Sequence, residues 1–145
     1  MPYDPKLVQP MREELTRIGV KELLTAKDVD EFMKNSGGTA LVLVNSVCGC
    51  AAGGARPGLA LALRHATLPD RIATVFAGQD LEATQQARGY FKDVPPSSPS
   101  FALMKDGKLI EFVPRHRIEG HDAKAIAQEL TKAFDKHCAS GAPKE

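Results

Sequence analysis

The run TALVLVN over Thr39–Asn45 has strand length, β-branched character and no alternation with charged residues. A half-buried strand alternates apolar and polar side chains, whereas an unbroken apolar run is a strand covered on both faces. Covering both faces takes helices on both sides, so this segment commits the chain to α/β layering. Arg71–Phe76, RIATVF, is a second run of the same kind.

The remaining elements are read around these two strands. Residues 1–9, with Pro2 and Pro5, are expected to form an extended arm, and MREELTRIGV after Pro10 a short helix ending near Gly19. Thr25 is a candidate N-cap for a second helix, with Asp28 in its first turn and Gly37-Gly38 as its stop. Ala51–Ala66 carries apolar residues at helical spacing, with Leu59, Leu61 and Leu63 read as core, and is kinked at Pro57. Asp80 is placed as the cap of a helix to Arg88, and Asp122 as the cap of one over Ala123–His137. Ser100–Lys105 and Lys108–Val113 flank Asp106-Gly107, a strong hairpin signal because Gly supplies the positive φ of a tight turn. The predicted architecture is a mixed central sheet flanked by helices on both faces, with an extra N-terminal helix. It fills one domain over residues 1–145, with 139–145 a frayed tail.

Charge narrows the partners. The formal net charge is +1 and the basic residues are scattered, so neither nucleic acid nor an anionic membrane is expected as a partner. The longest apolar runs are too short to span a bilayer, and the N-terminus lacks the features of a signal peptide. A cytoplasmic location is therefore expected.

Three cysteines cannot all pair with one another. In a reducing compartment, Cys48 and Cys50, one residue apart, suggest redox or metal chemistry rather than a structural staple. They fall between a buried strand and a helix, where free backbone N–H groups and the helix dipole favour an anion such as a thiolate. Gly49 permits the tight turn between them, and Arg56 lies close enough in sequence to add positive charge. Closing so small a ring should strain a Cys48–Cys50 disulfide and make it easy to reduce. Mixed disulfides with other thiols then compete well with it. Two other readings remain open: small buried residues packed for volume, or ligands of zinc or copper completed by Cys138 or a histidine.

The stretches VNSVCGCAAGGARP (Val44–Pro57), SPSFALMKDGK (Ser98–Lys108) and VPRHRIEGHD (Val113–Asp122) resemble the bacilliredoxins, thioredoxin-like proteins that carry Cys-Gly-Cys. The resemblance implies a thioredoxin-like fold and removal of bacillithiol from S-bacillithiolated proteins. Cys48 would be the attacking thiolate and Cys50 the resolving or auxiliary thiol. Bacillithiol would be a thiol substrate, with no tightly bound cofactor, and other disulfide-bonded proteins are implied as further partners. Pro99 matches the cis-proline that faces the cysteines in such sites, and the backbone of Ser98 would pair with a substrate chain. A protein disulfide isomerase and a metal-binding module are the alternatives. Cys138 is read as a bystander, His65 and His137 as solvent-facing, and His116 and His121 as capping or surface residues.

Overall fold

The computed structural model describes residues 3–34 and 38–138. Two expectations, the stop at Gly37 and the tail over 139–145, lie outside the described residues. In chain order the elements are α1 (Pro5–Thr16), β1 (Lys21–Glu22), α2 (Ala26–Lys34), β2 (Thr39–Asn45), a π-helical turn (Ala51–Ala55), α3 (Arg56–Ala62), β3 (Arg71–Phe76), α4 (Leu81–Tyr90), β4 (Ser100–Lys105), β5 (Lys108–Val113), a 3₁₀ turn (Arg115–Arg117) and α5 (Ala123–His137).

The five strands form one sheet in the order β1-β3-β2-β4-β5. β2 lies at its centre, parallel to β3 and antiparallel to β4. Its side chains divide by the two-residue period. Leu41 and Leu43 join a cluster with Leu59, Ile126, Leu130 and Phe134, from α3 and α5. Ala40, Val42 and Val44 join Val29, Phe32, Ala83 and Ala87, from α2 and α4. This double cover is why the run shows no polar alternation. The turn between β4 and β5 has positive φ at both Asp106 (51°) and Gly107 (82°), the primed geometry that the Asp-Gly pair suits.

The N-terminal arm is a correction: residues 5–9 are helical. Asp4 accepts a hydrogen bond from the Lys6 N–H at 2.9 Å, and Pro5 stands at the first helical position. There its missing donor costs nothing, so Pro5 opens the helix instead of extending the chain. Pro10 is carried inside α1, whose Val8 and Leu15 are buried.

Three smaller expectations also change. Asp80 stands at the N-cap position of α4 and its carbonyl accepts from the Thr84 N–H, but its side chain makes no capping bond; both carboxylate oxygens grip Arg12, at 2.8 and 3.0 Å. Leu61 is not core. It is 39% exposed while Leu59 is fully buried, because a two-residue step turns a helical side chain to the opposite side. His65 and His137 are not simply solvent-facing, since they pair with Asp135 at 2.9 Å and Glu111 at 2.8 Å. β1 was not anticipated; two residues are too few to show a period.

The other caps follow the sequence. Thr25 Oγ1 accepts from the Asp28 N–H at 3.0 Å while Asp28 accepts from the Leu24 and Thr25 N–H groups, a reciprocal capping box. Asp122 accepts from the Ala125 N–H at 2.9 Å. Among the described residues no helix is long and apolar enough to cross a membrane.

Candidate active site

β2 ends at Asn45, and the chain must then turn from the sheet into the helical segment on its flank. Three side chains fasten that turn. Asn45 Oδ1 accepts from the Ser46 N–H at 2.9 Å and from the Arg56 guanidinium at 2.9 Å. Arg56 also donates to the Ser46 carbonyl at 2.8 Å and to Glu14 at 3.0 Å. Arg56 is 2% exposed and its charge is spent on these partners. Its guanidinium ties the base of the cysteine loop to α1. Proximity along a chain does not specify direction; here the helix turns Arg56 inward.

Above this base, Ser46 Oγ donates to Cys48 Sγ at 3.1 Å and accepts from the Cys48 N–H at 3.3 Å. Cys48 Sγ and Cys50 Sγ lie 3.1 Å apart as free thiols sharing a hydrogen bond, and both are half-buried. Gly49 is exposed, with open space where a Cβ would stand.

The surroundings displace the two thiols in opposite directions. Burial pushes Cys48 up, but hydrogen bonds from Ser46, Cys50 and the Ala51 backbone outweigh it and bring the thiol below its ordinary value. Burial pushes Cys50 up, its hydrogen bond to Cys48 and the charge there push it further, and the Arg115 guanidinium only partly offsets this. Of the two sulfurs, Cys48 is the one whose surroundings favour the thiolate, the nucleophilic form of a cysteine. Cys50 holds its proton against the Cys48 anion.

The segment after the cysteines departs from a kinked α-helix. Residues Ala51–Ala55 form a π-helical turn in which the Arg56 N–H reaches the Ala51 carbonyl. Pro57 has no N–H to give, and the turn ahead of it widens to the five-residue spacing. Gly54 and Gly58 let this segment lie against α5. Cβ atoms there would fall 2.8 and 2.7 Å from Ile126.

Sheet register brings the proline loop to the same end of β2. Val44 pairs with Ser100, so Pro99 and Ser98 lie beside the strand end that leads into the cysteine loop. The Ser98–Pro99 peptide is cis and Pro99 is buried. The 3₁₀ turn after β5 adds Arg115, whose backbone N–H donates to Ser97 Oγ at 2.7 Å and whose guanidinium donates to the Ser98 carbonyl at 3.4 Å. Its charge acts on both Cys50 and Cys48.

Sequence reasoning missed Ser46 and Arg115. A serine between a buried strand and a cysteine is a local signal, since its hydroxyl bonds the backbone two residues on. Arg115 has no local signal, because only the β4–β5 pairing carries it to the site. Cys138 lies elsewhere. It lies near Thr39 at the start of β2, about 20 Å of strand away from the cysteine loop, and burial pushes its thiol up. Among the described residues no group of three His, Cys, Asp or Glu side chains is arranged to hold a metal ion. His116 and His121 are exposed.

The chain matches the disulphide isomerase family over residues 3–138. It is 54% identical over 136 residues to a bacilliredoxin of Staphylococcus haemolyticus, covering 94% of this chain and 93% of that one. A bacilliredoxin of Staphylococcus aureus gives the same identity and the same coverage. Among solved structures, thioredoxin of Fasciola hepatica superposes with a TM-score of 0.57 at 22% identity, over 81% of this chain and 99% of that one. Thioredoxin of Nicotiana alata gives a TM-score of 0.56 at 21% identity, over 82% and 92%. These solved structures carry the fold, and the relatives at 54% identity carry the family: the chain belongs to the bacilliredoxins, thiol–disulfide oxidoreductases of thioredoxin-like fold.

Proposed function

We propose that this protein removes bacillithiol from S-bacillithiolated proteins by mixed-disulfide exchange at Cys48, in the cytoplasm. The observation that carries the reading is the pairing of a Cys48 thiol below its ordinary pKa with a Cys50 thiol above it, 3.1 Å away, in a relative of proteins named bacilliredoxins.

In the first step the Cys48 thiolate attacks the bacillithiol sulfur of the client's disulfide. The Cys48–bacillithiol S–S bond forms, the client's S–S bond breaks, and the client's cysteine leaves as a thiolate. In the second step a thiolate resolves the Cys48–bacillithiol disulfide by attack on one of its two sulfurs. Cys50 does this internally, expelling bacillithiol as a thiolate and leaving a Cys48–Cys50 disulfide; alternatively a second low-molecular-weight thiolate attacks the bacillithiol sulfur, Cys48 leaves as a thiolate, and a small-molecule disulfide departs. Electrons come from thiols throughout, so no resident cofactor is required. Ser98, beside cis-Pro99, offers backbone for the client chain, and Arg56 supports the loop from below.

The description of the matched family favours a second reading, rearrangement of disulfides within client proteins. Two assays separate them. Release of bacillithiol from a bacillithiolated reporter, lost in Cys48→Ser, is expected. Reactivation of scrambled ribonuclease without such release would instead establish the isomerase.

A further inference from the structure

Beside the cis-proline loop a groove of about 770 Å³ runs between Arg88 of α4, the loop over Val94–Ser98 and the turn over Arg115–Glu119. Its three guanidinium groups face one carboxylate, Glu119. They are not equally satisfied. Arg117 is held by the Phe112 carbonyl at 3.2 Å and paired with Glu129. Arg115 makes long, exposed contacts at 3.4 Å to Glu119 and to the Ser98 carbonyl. Arg88 has only the Ser97 carbonyl at 3.5 Å, its enclosed Nε has no partner, and no carboxylate pairs with it among the described residues.

A partly buried guanidinium without an anion is unfavourable, and burial lowers the Arg88 pKa from its ordinary value while leaving the group charged. Its planar fork suits a carboxylate, and so does that of Arg115. Arg115 joins the two regions, because it lines the groove while its charge acts on both active-site sulfurs. The groove also takes in Ser97 and Ser98, which precede the β4 residue paired with Val44, so one wall lies beside the strand end that leads into the cysteine loop.

We propose that this groove is an anion subsite in which Arg88 and Arg115 receive carboxylate groups of the low-molecular-weight thiol held in the mixed disulfide at Cys48. The inference rests on Cys48 being the exchanging sulfur, and it adds a charge requirement that the exchange chemistry lacks. Transfer of the small thiol from client to Cys48 is the first step described above; the arginines bind and orient, and enter no bond change.

The test uses one single-cysteine client carrying, in turn, mercaptosuccinate (two carboxylates), 2-mercaptoethanol (no charge) or cysteamine (one ammonium) as its mixed disulfide. Single-turnover second-order rate constants for client release are measured for the reduced protein and for Arg88→Gln and Arg115→Gln. Arg115→Gln also alters the thiols, so the readout is the rate ratio of mercaptosuccinate to mercaptoethanol. Each variant should lower that ratio about tenfold, the scale of one charge-assisted contact in a partly exposed site. An unchanged ratio overturns the proposal, as does release of the cysteamine adduct as fast as that of the mercaptosuccinate adduct. Independently of folding in the variants, the unsubstituted protein titrated with succinate should show saturable amide shifts at Ser97, Ser98 and Arg115. No shifts at tens of millimolar overturn the subsite. Failure to release any of the three thiols would overturn exchange at Cys48, while the succinate titration still judges the groove.

Discussion

Ser46 Oγ both donates to Cys48 Sγ at 3.1 Å and accepts from the Cys48 backbone N–H at 3.3 Å. One hydroxyl thus fixes the position of the sulfur and favours its anion. Ser46 is itself buried and anchored, because its N–H and carbonyl are taken by Asn45 and Arg56. The reactivity of Cys48 therefore depends on how the end of β2 is fastened.

Ser46→Ala should raise the Cys48 pKa, since a hydrogen bond to the thiolate is lost while its burial remains. Loss of about 1 kcal/mol of that bond corresponds to about a fivefold smaller thiolate fraction below the pKa. The pH dependence of iodoacetamide alkylation checks this: the rate midpoint moves to higher pH and the plateau rate is retained.

In the unsubstituted protein, alkylation followed by mass spectrometry should label Cys48 before Cys50 at neutral pH. Rate follows thiolate fraction, which rises with pH up to the pKa. With Cys48 below its ordinary value, its plateau arrives at lower pH than that of a cysteine peptide, and Cys50 responds only at higher pH. Cys50→Ala removes one hydrogen bond to Cys48 and should move the Cys48 midpoint upward. Equal labelling of the two cysteines would contradict the assignment of roles.

Arg56→Met should destabilise the fold by about 3 kcal/mol, because it leaves the Asn45 and Ser46 oxygens enclosed without their donor. Glu14→Gln should cost less than about 1 kcal/mol, since that carboxylate is 43% exposed and water replaces the contact. Urea denaturation of the two variants measures the contrast.

Gly58→Ala places a Cβ 2.7 Å from Ile126 Cγ2 and 3.0 Å from its branched Cβ, which has little freedom to move. A cost of about 1–3 kcal/mol is expected from overpacking α3 on α5. Gly53→Ala meets open space and should be neutral or stabilising by up to about 1 kcal/mol. Chemical denaturation of the pair distinguishes close packing from helix propensity.

Much of the frame was legible along the chain. Thr39–Asn45, Arg71–Phe76, the Asp106-Gly107 hairpin and the helix from Ala123 to His137 stand where residue pattern places them. Strand period, turn chemistry and caps act over a few residues, so a few residues suffice to read them. Reading failed where one local signal has two outcomes. Pro5 looks the same in an extended arm and at the first position of a helix, and Asp80 holds the cap position with its carboxylate turned to Arg12 instead of the helix N–H groups.

The cysteine pair and its place after the central strand were determined by the sequence alone, since strand, turn and Cys-Gly-Cys are contiguous. Which sulfur ionises first depends on Ser46, Cys50 and burial, and the charge acting on the pair comes from Arg115, far along the chain. Arg56, near the pair in sequence, is turned inward to Asn45 and Glu14 instead. Electrostatic effects fall off with distance in space, and only the folding of β4 and β5 beside β2 converts separation along the chain into that distance.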